Sequence, residues 1–232
     1  MANSEEEITL KVSKYFNDKR FSDLVIKFDK GNQSLHTHTI ILCGQSTYFK
    51  NLCERGFKEG EQAEIELHDD NPDAVRALFQ HLYGIDYKTY FRAEKDFMMH
   101  VHVFAVADKY DIADLRDITV KAFVEAAEKD WTTDLDAFLA AVETVFSNFP
   151  ADRAMQASTL SFIEPRLEEF MKLPAFDHML EEVPALTAGL LRLKSKDKGQ
   201  RVKCSYCTKA YPRDISTSSG YGRCPNCGNY YQ

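Results

Sequence analysis

Two pairs of cysteines near the C-terminus restrict what this chain can fold into more than any other sequence feature. The pairs are Cys204 with Cys207 and Cys224 with Cys227, each spaced Cys-x-x-Cys, with sixteen residues between the pairs. Each pair places two thiolates on one tight turn, and two such turns together form the tetrahedral four-sulfur site that zinc prefers. We therefore predict that these four cysteines bind one structural zinc ion.

The predicted zinc site suits a structural role. A closed four-thiolate shell has no open position for water or substrate, so it stabilises a fold and does not catalyse. A segment as short as residues 204–232 cannot bury a sufficient core alone, and the metal supplies the missing folding energy. This segment resembles zinc ribbons in general, a widespread module that does not by itself fix a function.

The rest of the chain has the composition of a globular protein. Of its 232 residues, 44% are hydrophobic and 12% aromatic, which is enough for a substantial core. No segment approaches the ~20 uninterrupted apolar residues that a membrane span requires, and the acidic N-terminus lacks the pattern of a secretory signal. We expect an intracellular protein, in the nucleus, the cytoplasm or both, without membrane contact and with reduced cysteines.

Charge divides the chain into an acidic body and a basic tail. Residues 194–232 contain five Lys and three Arg against two Asp, a net charge of +6, whereas the whole chain carries −7. Basic side chains interleaved with tyrosines in the tail, such as Lys209 and Tyr211, could contact a phosphate backbone and stack on bases. Nucleic acid is therefore an alternative partner, although half of the basic charge lies in a segment that reads as a linker.

The order of predicted elements indicates an α+β fold that is mostly α. A capping box at Ser4 and Glu7 predicts an N-terminal helix. Short strands come early in the chain, at Leu24–Phe28, Ser34–His38 and Ala63–Leu67. Helices then dominate, with starts at Ser46 and at Asn71-Pro72. The predicted helices cover residues 47–54, 72 onward, 95–109, 112–128, 134–146, 151–172 (bent by Pro165) and 176–193.

Four separate stretches, in the same order, resemble the BTB/POZ domain, and their style resembles the fungal branch of that family. They are Phe21–Ile26, Leu35–Cys53, Gly56–Tyr87 and Ala107–Ile112 followed by Leu115. With this resemblance we divide the chain into an N-terminal helix (1–18), a BTB/POZ domain (19–125), a helical extension (130–193), a linker (194–203) and the zinc-ribbon-like module (204–232).

The resemblance implies a small sheet with helical hairpins, no catalytic centre, and assembly with a protein partner. In one large class of the family, the domain holds a cullin ubiquitin-ligase scaffold through a hydrophobic-x-Glu motif after the third helix. Phe57, Lys58 and Glu59 occupy that position here. The same three residues also fit a packed Phe beside solvated charges. Gly-x-Ser-x-Gly, phosphate-loop and dinucleotide motifs are absent, so we predict that the chain is not an enzyme.

Two departures from the family pattern bear on its partners. Members that regulate transcription pair an Asp with a basic residue after the motif His, but here Asp23 is matched by Thr39. The resemblance therefore does not extend to corepressor recruitment through that pocket. The N-terminal strand that such members exchange on dimerising is not evident, so a homo-oligomer is compatible with the sequence but not implied.

Other cysteines and histidines are interpreted as structural. Cys43 and Cys53 fit small buried hydrophobes. His36 and His38 share one strand face, as ligands would, but His38 stands at the family's packing position. His100 and His102 are about 200° apart on a predicted helix and cannot chelate one ion.

Two functional hypotheses follow from the sequence. The first is a protein-interaction adaptor, in its most specific form a substrate adaptor for a cullin-type ubiquitin ligase. The alternative is a nuclear, transcription-related regulator whose zinc module contacts nucleic acid or the transcription machinery.

Overall fold

The computed structural model describes residues 12–54, 63–88, 96–149, 154–197, 201–203, 206–207, 210–212, 222–223, 227 and 230–231. It divides into two compact units, Met1–Phe162 and Ile163–Gln232. The predicted N-terminal helix lies mostly outside the described residues; residues 12–13 are helical and a turn follows. No helix within the described ranges is both long enough and apolar enough to cross a membrane.

The N-terminal unit contains a three-stranded sheet. Its strands are β1 (Leu24–Phe28), β2 (Gln33–Thr37) and β3 (Ala63–Glu66), in the order β2-β1-β3. The strand β1 pairs antiparallel with β2 and parallel with β3. Positive φ angles at Asp29, Lys30 and Gly31 close the β1–β2 hairpin. The predicted strands are present, with β2 beginning one residue earlier than the sequence indicated.

Two short helices follow the hairpin, and only the second was predicted. They are α1 (Thr39–Gln45) and α2 (Thr47–Glu54). Ser46 separates them: its hydroxyl accepts the Phe49 amide at 3.2 Å and donates to the Tyr110 carbonyl at 2.7 Å. The predicted cap at Ser46 is therefore correct, and the same side chain joins α2 to a distant turn.

Three longer helices complete the core of this unit: α3 (Pro72–Leu82), α4 (Phe97–Lys109) and α5 (Ala113–Asp130). The Asn71 side chain accepts the amides of Asp73 and Ala74 at 3.0 Å, as expected of an N-cap before a proline. The buried cluster joins sheet and helices through fully buried Leu24, Ile26, Leu78 and Phe79, among others.

Aromatic rings connect the next helices to this core. The helices α6 (Leu135–Asn148) and α7 (Ala154–Ile163) follow α5. The Phe138 ring lies 5.4 Å from that of Phe97 and 5.6 Å from that of Phe162, measured between centroids. The apolar residues of α6, such as Phe138, Leu139 and Val142, are therefore buried.

Prolines divide the second unit into shorter helices than predicted. A 3-10 turn at Glu164–Arg166 contains Pro165 and precedes α8 (Leu167–Phe170), so the predicted bend is a break. The single helix predicted over 176–193 is wrong: α9 (Pro174–Glu182) and α10 (Pro184–Asp197) are separated at Val183. Proline lacks the amide hydrogen that a continuous helix needs, and it begins a new one instead.

The C-terminal segment forms two small hairpins. The strands β4 (Arg201–Lys203) and β5 (Ala210–Pro212) pair antiparallel, as do β6 (Gly222–Arg223) and β7 (Tyr230–Tyr231). Helix α10 and strand β4 enter the two ends of the segment interpreted as a linker, so regular structure extends into it. The division into functional domains otherwise stays a prediction.

Candidate interaction surface

Two large apolar side chains of the N-terminal unit are exposed, and both lie close in sequence to one hydrogen bond between a carboxylate and a backbone amide. Phe21 and Ile40 are each 83% exposed. Asp23, two residues after Phe21, accepts through its carboxylate the amide of Thr39, the residue before Ile40, at 2.7 Å at the start of α1. Each apolar residue lies within two positions of that bond, and we call them the Phe21–Ile40 patch. Exposed apolar side chains grouped in this way are typical of protein contact sites.

The backbone holds Phe21 in an unusual conformation. Its φ is 62°, in the left-handed region that bulky residues rarely adopt. Such strain costs about 1–3 kcal/mol and persists where the surroundings fix the conformation, often at functional positions. Here the strained residue presents an aromatic ring to solvent, with the Tyr15 ring 6.4 Å away at its edge.

The residues before Phe21 are fixed by charge-assisted bonds. The Arg20 guanidinium donates to the Asp18 carboxylate at 2.5 and 2.9 Å, and this hydrogen bond lowers the pKa of Asp18 to about 2. The Arg20 amide donates to the same carboxylate. These hydrogen bonds between Arg20 and Asp18 hold the turn that leads into Phe21.

The His38 side chain holds this turn through a hydrogen bond to its backbone. Its Nε2–H donates to the Arg20 carbonyl at 2.9 Å, because a carbonyl can only accept. The Tyr83 hydroxyl accepts the His38 amide at 3.0 Å and, with a neutral ring, donates to Nδ1 at 2.7 Å. Burial raises the pKa of Tyr83 above its usual value, so the hydroxyl keeps its proton. His38 is the packed, hydrogen-bonded residue that the sequence indicated.

Asp23 has a structural partner in place of a basic side chain. Its carboxylate bonds to the Thr39 amide, at the position where the family pattern of transcription regulators would place Arg or Lys. A carboxylate at the first turn of a helix also stabilises the positive end of the helix dipole. Asp23 therefore stabilises the start of α1, at the residue before Ile40.

The predicted partner-binding residues Phe57, Lys58 and Glu59 lie outside the described residues. The helix before them, α2, ends at Glu54, and the strand after them, β3, begins at Ala63. Their assignment to partner binding stays a prediction.

Each pair of predicted metal-ligand cysteines falls, in sequence, between the two strands of one hairpin. In the first, Lys203 pairs with Ala210, and in the second, Arg223 pairs with Tyr230, so six residues separate the paired positions in both. In both six-residue segments the cysteines are the first and fourth residues. Two Cys-x-x-Cys turns are compatible with the four-thiolate tetrahedral site of structural zinc.

Only part of this candidate metal centre belongs to the described residues. Cys207 and Cys227 lie in turns, while Cys204 and Cys224 fall outside the described part. No group of three or more His, Cys, Asp or Glu side chains suited to a metal ion occurs among the residues that are described. The zinc assignment therefore rests on spacing and hairpin register, and it stays a prediction.

Two further histidines, His100 and His102, lie on α4. His100 is fully buried, its Nδ1 lies 2.9 Å from the Tyr87 hydroxyl, and burial lowers its pKa to about 4. Burial also lowers the pKa of His102. Sequence reasoning placed both on a helix, which is confirmed, but had no means of finding the Tyr87 contact.

A groove of about 580 Å³ lies between the ends of α3 and α5. Leu82, Ile85 and Ile118 provide apolar lining, and His81 Nε2 lies beside them, within hydrogen-bond distance (2.8 Å) of the Asp114 carboxylate. The groove could receive an apolar side chain of a bound protein. The sequence contained no signal for it because it forms from residues far apart in the chain.

A model of the BTB/POZ domain family matches residues 12–127, half of the chain. A BTB/POZ domain-containing protein of Arabidopsis thaliana is 21% identical over 192 residues, which cover 79% of this chain and 86% of the relative. BTB and MATH domain-containing protein 15 of Caenorhabditis elegans is 32% identical over 68 residues, or 29% of this chain and 24% of the relative.

Two further comparisons each cover about half of the chain. Kelch repeat and BTB domain-containing protein 1 of cowpox virus is 25% identical over 119 residues, covering 49% of this chain and 21% of the relative. The solved BTB domain of zebrafish PATZ1 superposes with a TM-score of 0.41 at 16% identity, over 54% of this chain and 95% of that domain. The chain thus spans less than a quarter of the nematode and viral relatives, and the fungal-type assignment stays a prediction.

Proposed function

The chain belongs to the BTB/POZ domain family, and from this premise we propose that it is a protein-interaction adaptor that docks a protein partner on the Phe21–Ile40 patch. BTB/POZ domains mediate protein contacts, which gives the general function. The observation that carries the specific proposal is the patch itself: two apolar side chains, each 83% exposed, of which Phe21 has a strained backbone conformation and Ile40 lies in α1.

The adaptor acts by raising effective concentration. A partner held by the N-terminal unit and a second molecule held elsewhere on the chain meet more often than they would in free solution. No catalytic group is needed for this, in agreement with the expectation that the chain is not an enzyme.

Replacement of Phe21 and Ile40 by Asp tests the proposal. Proteins that co-purify with the wild-type chain should be lost with Phe21→Asp and Ile40→Asp, because a charge in the buried centre of an interface is strongly unfavourable. Leu191→Asp is the matched control, since Leu191 is also exposed (65%) but belongs to the other compact unit. Equal recovery of partners with all three variants would contradict docking on this patch.

The most specific version of this function is a substrate adaptor for a cullin-type ubiquitin ligase. Its support is the Phe57-Lys58-Glu59 sequence at the family's hydrophobic-x-Glu position. A purified cullin scaffold should bind the wild-type chain and should not bind Phe57→Asp. Lys58→Ala, which keeps the hydrophobic residue and the Glu, should retain binding. Undiminished binding of Phe57→Asp would eliminate this version.

The zinc-ribbon-like module supplies a second surface in this proposal. One structural Zn²⁺ is held by Cys204, Cys207, Cys224 and Cys227, supported by the matching register of the two hairpins. The ion would stabilise a segment too short to fold by apolar burial alone.

The alternative function is that of a regulator whose tail contacts nucleic acid. The observation in its favour is the basic residues on the hairpin strands, Arg201, Lys203 and Arg223, together with Tyr206, which is 71% exposed. Binding of the full chain to DNA or RNA should weaken steeply as salt rises, because phosphate contacts release counterions. Absence of binding at low salt, or binding insensitive to salt, would eliminate this alternative.

A further inference from the structure

The groove between the ends of α3 and α5 combines apolar surface with negative charge. Its apolar lining includes Leu82, Ile85 and Ile118, and its volume of about 580 Å³ is typical of sites that bind a ligand. Ile118 is 37% exposed although it is a large apolar residue. Asp114 lies one helical turn before it, on the same face of α5. An apolar side chain in this groove therefore lies next to a carboxylate.

Two carboxylates at the groove are held in place by hydrogen bonds. Asp114 Oδ2 lies 2.8 Å from His81 Nε2, and Asp86 Oδ1 accepts the Lys88 amide at 2.9 Å. Each of these bonds uses one oxygen of its carboxylate, so the other oxygen can accept a hydrogen bond from a ligand. Both aspartates are exposed. Because they are already oriented, they lose little conformational freedom when a ligand binds.

Amide and backbone groups add further acceptors. Gln45 lines the groove, and its Nε2 donates to the carbonyls of Leu82 at 2.8 Å and Ile41 at 3.2 Å. Both donors of this amide are thereby used, and its Oε1 can accept. Helix α3 ends at the groove, and the C-terminal end of a helix carries partial negative charge. The positive end of α5 is offset by Asp114 in its first turn.

The balance of charge at the groove favours a cationic ligand. Its lining contains two aspartates against one lysine, Lys88, besides the His81 ring that faces Asp114. The surrounding chain has the same sign: since the whole chain carries −7 and residues 194–232 carry +6, residues 1–193 carry −13. A basic segment is attracted to such a surface and an acidic one is repelled.

We propose that this α3–α5 groove is a docking site for a peptide segment of a partner protein in which an apolar residue is flanked by lysine or arginine. The apolar side chain packs against Leu82, Ile85 and Ile118, and the basic side chain donates to Asp86 or Asp114. Lysine and arginine side chains carry only donors, which matches the acceptors of the groove.

This site is separate from the Phe21–Ile40 patch, because neither patch residue lines the groove. It rests on the proposed adaptor function in one respect: it supplies the place where the second molecule is held. Docking in the groove and docking on the patch are tested by different variants, so either can fail without the other.

Peptide selection on the full chain tests the proposal. A phage-displayed library of short random peptides is panned on the purified chain, and the most enriched sequences are synthesised with a fluorescent label for anisotropy titrations. We expect these sequences to pair an apolar residue with lysine or arginine, and their binding to weaken as salt rises because exposed charges are screened. Failure to enrich any sequence, or enrichment of acidic sequences, would overturn the proposal.

Two charge variants with opposite expected effects locate the site. Asp114→Asn should weaken peptide binding by about two- to fivefold, as expected for an exposed charge pair. Lys88→Gln should strengthen it, because an opposing charge is removed. Damage to the fold would weaken binding in both variants, so the opposite signs exclude that explanation. Asp136→Asn is the matched control, since Asp136 is an exposed aspartate in the first turn of α6, and it should bind like the wild type.

Two further variants test the apolar contact and separate the groove from the patch. Ile118→Asp should weaken binding by about tenfold or more, because it places a charge against an apolar side chain, whereas Phe21→Asp should leave it unchanged. Peptide binding that is lost with Phe21→Asp and kept with Ile118→Asp would overturn the proposal and leave docking on the patch intact. Equal binding by the wild type, Asp114→Asn and Ile118→Asp would also overturn it. So would self-association of the chain that Ile118→Asp abolishes, since the groove would then hold a second copy.

Discussion

A single hydroxyl, that of Tyr83, connects the interaction surface to the core. It hydrogen-bonds to both the amide and the ring Nδ1 of His38. The ring Nε2 of His38 donates to the carbonyl of Arg20, the residue before Phe21. Tyr83 itself is fully buried. The exposed Phe21 is thus supported by a buried residue 62 positions later in the sequence, and no local pattern could predict that contact.

Tyr83→Phe should lower the free energy of unfolding by about 1–3 kcal/mol, because it leaves a buried amide and a ring nitrogen without their partner. Urea unfolding at neutral pH measures the change. Tyr48→Phe, at a partly exposed ring on α2, is the control and should stay within about 0.5 kcal/mol of the wild type. An equal effect of both variants would show that the Tyr83 hydroxyl bonds contribute nothing specific.

His100 should make the stability of the protein fall in mild acid. Its pKa is lowered from 6.5 to about 4 by burial, so between these values the unfolded chain binds a proton that the folded chain does not. Stability is therefore retained above pH 6.5 and lost as the pH falls toward 4, by about 3 kcal/mol in total. Unfolding by urea at pH 7, 5.5 and 4.5 measures this loss.

The control for His100 is a variant that cannot titrate. His100→Gln keeps a polar group opposite Tyr87 and should flatten the pH dependence between pH 7 and 4.5. His68→Gln, at an exposed histidine, should leave it unchanged. A pH dependence that is identical in the wild type and His100→Gln would contradict the assignment to His100.

At the scale of elements, the sequence was informative wherever a local signal decided the structure. The β-prone run at Leu24–Phe28, the Ser46 cap and the Asn71-Pro72 start all predicted elements that are present. Helix α1 was missed because it is short and its start is fixed by Asp23 from another segment. The break between α9 and α10 was missed, although Pro184 was a local signal for it.

The N-cap of α3 should contribute measurably to stability. Asn71→Ala removes the acceptor for the amides of Asp73 and Ala74 and should cost about 1 kcal/mol of unfolding free energy. Asn71→Asp preserves an acceptor oxygen and should recover most of that loss. The two variants are compared by thermal and urea unfolding. Equal losses in both would mean that the side-chain oxygen does not act as the cap.

The candidate sites differ in how far sequence could predict them. The family was predictable from four ordered stretches, and its match confirms that prediction. The metal centre was proposed from ligand spacing, which is local within each hairpin, and it stays a prediction. The Phe21–Ile40 patch was not predictable, since exposure of Ile40 depends on a helix that was missed and exposure of Phe21 on a strained turn.

At the scale of the whole molecule, zinc should belong to the tail and not to the BTB/POZ domain. The purified chain should contain one zinc ion per molecule by elemental analysis, and Cys224→Ser should lose it because three thiolates leave the tetrahedral shell incomplete. Cys43→Ser should keep the full zinc content. Zinc that is absent from the wild type, or retained by Cys224→Ser, would contradict the proposed centre.

The central claim, that a protein partner docks on the Phe21–Ile40 patch, is tested most directly by site-specific photo-crosslinking in cells. A photoreactive amino acid is placed at position 40 in one variant and at position 191 in another, and cross-linked species are identified by mass spectrometry. The account predicts a discrete protein adduct from position 40 that disappears when Phe21→Asp is added, and no such adduct from position 191. No adduct at position 40, or the same adducts from both positions, would contradict it.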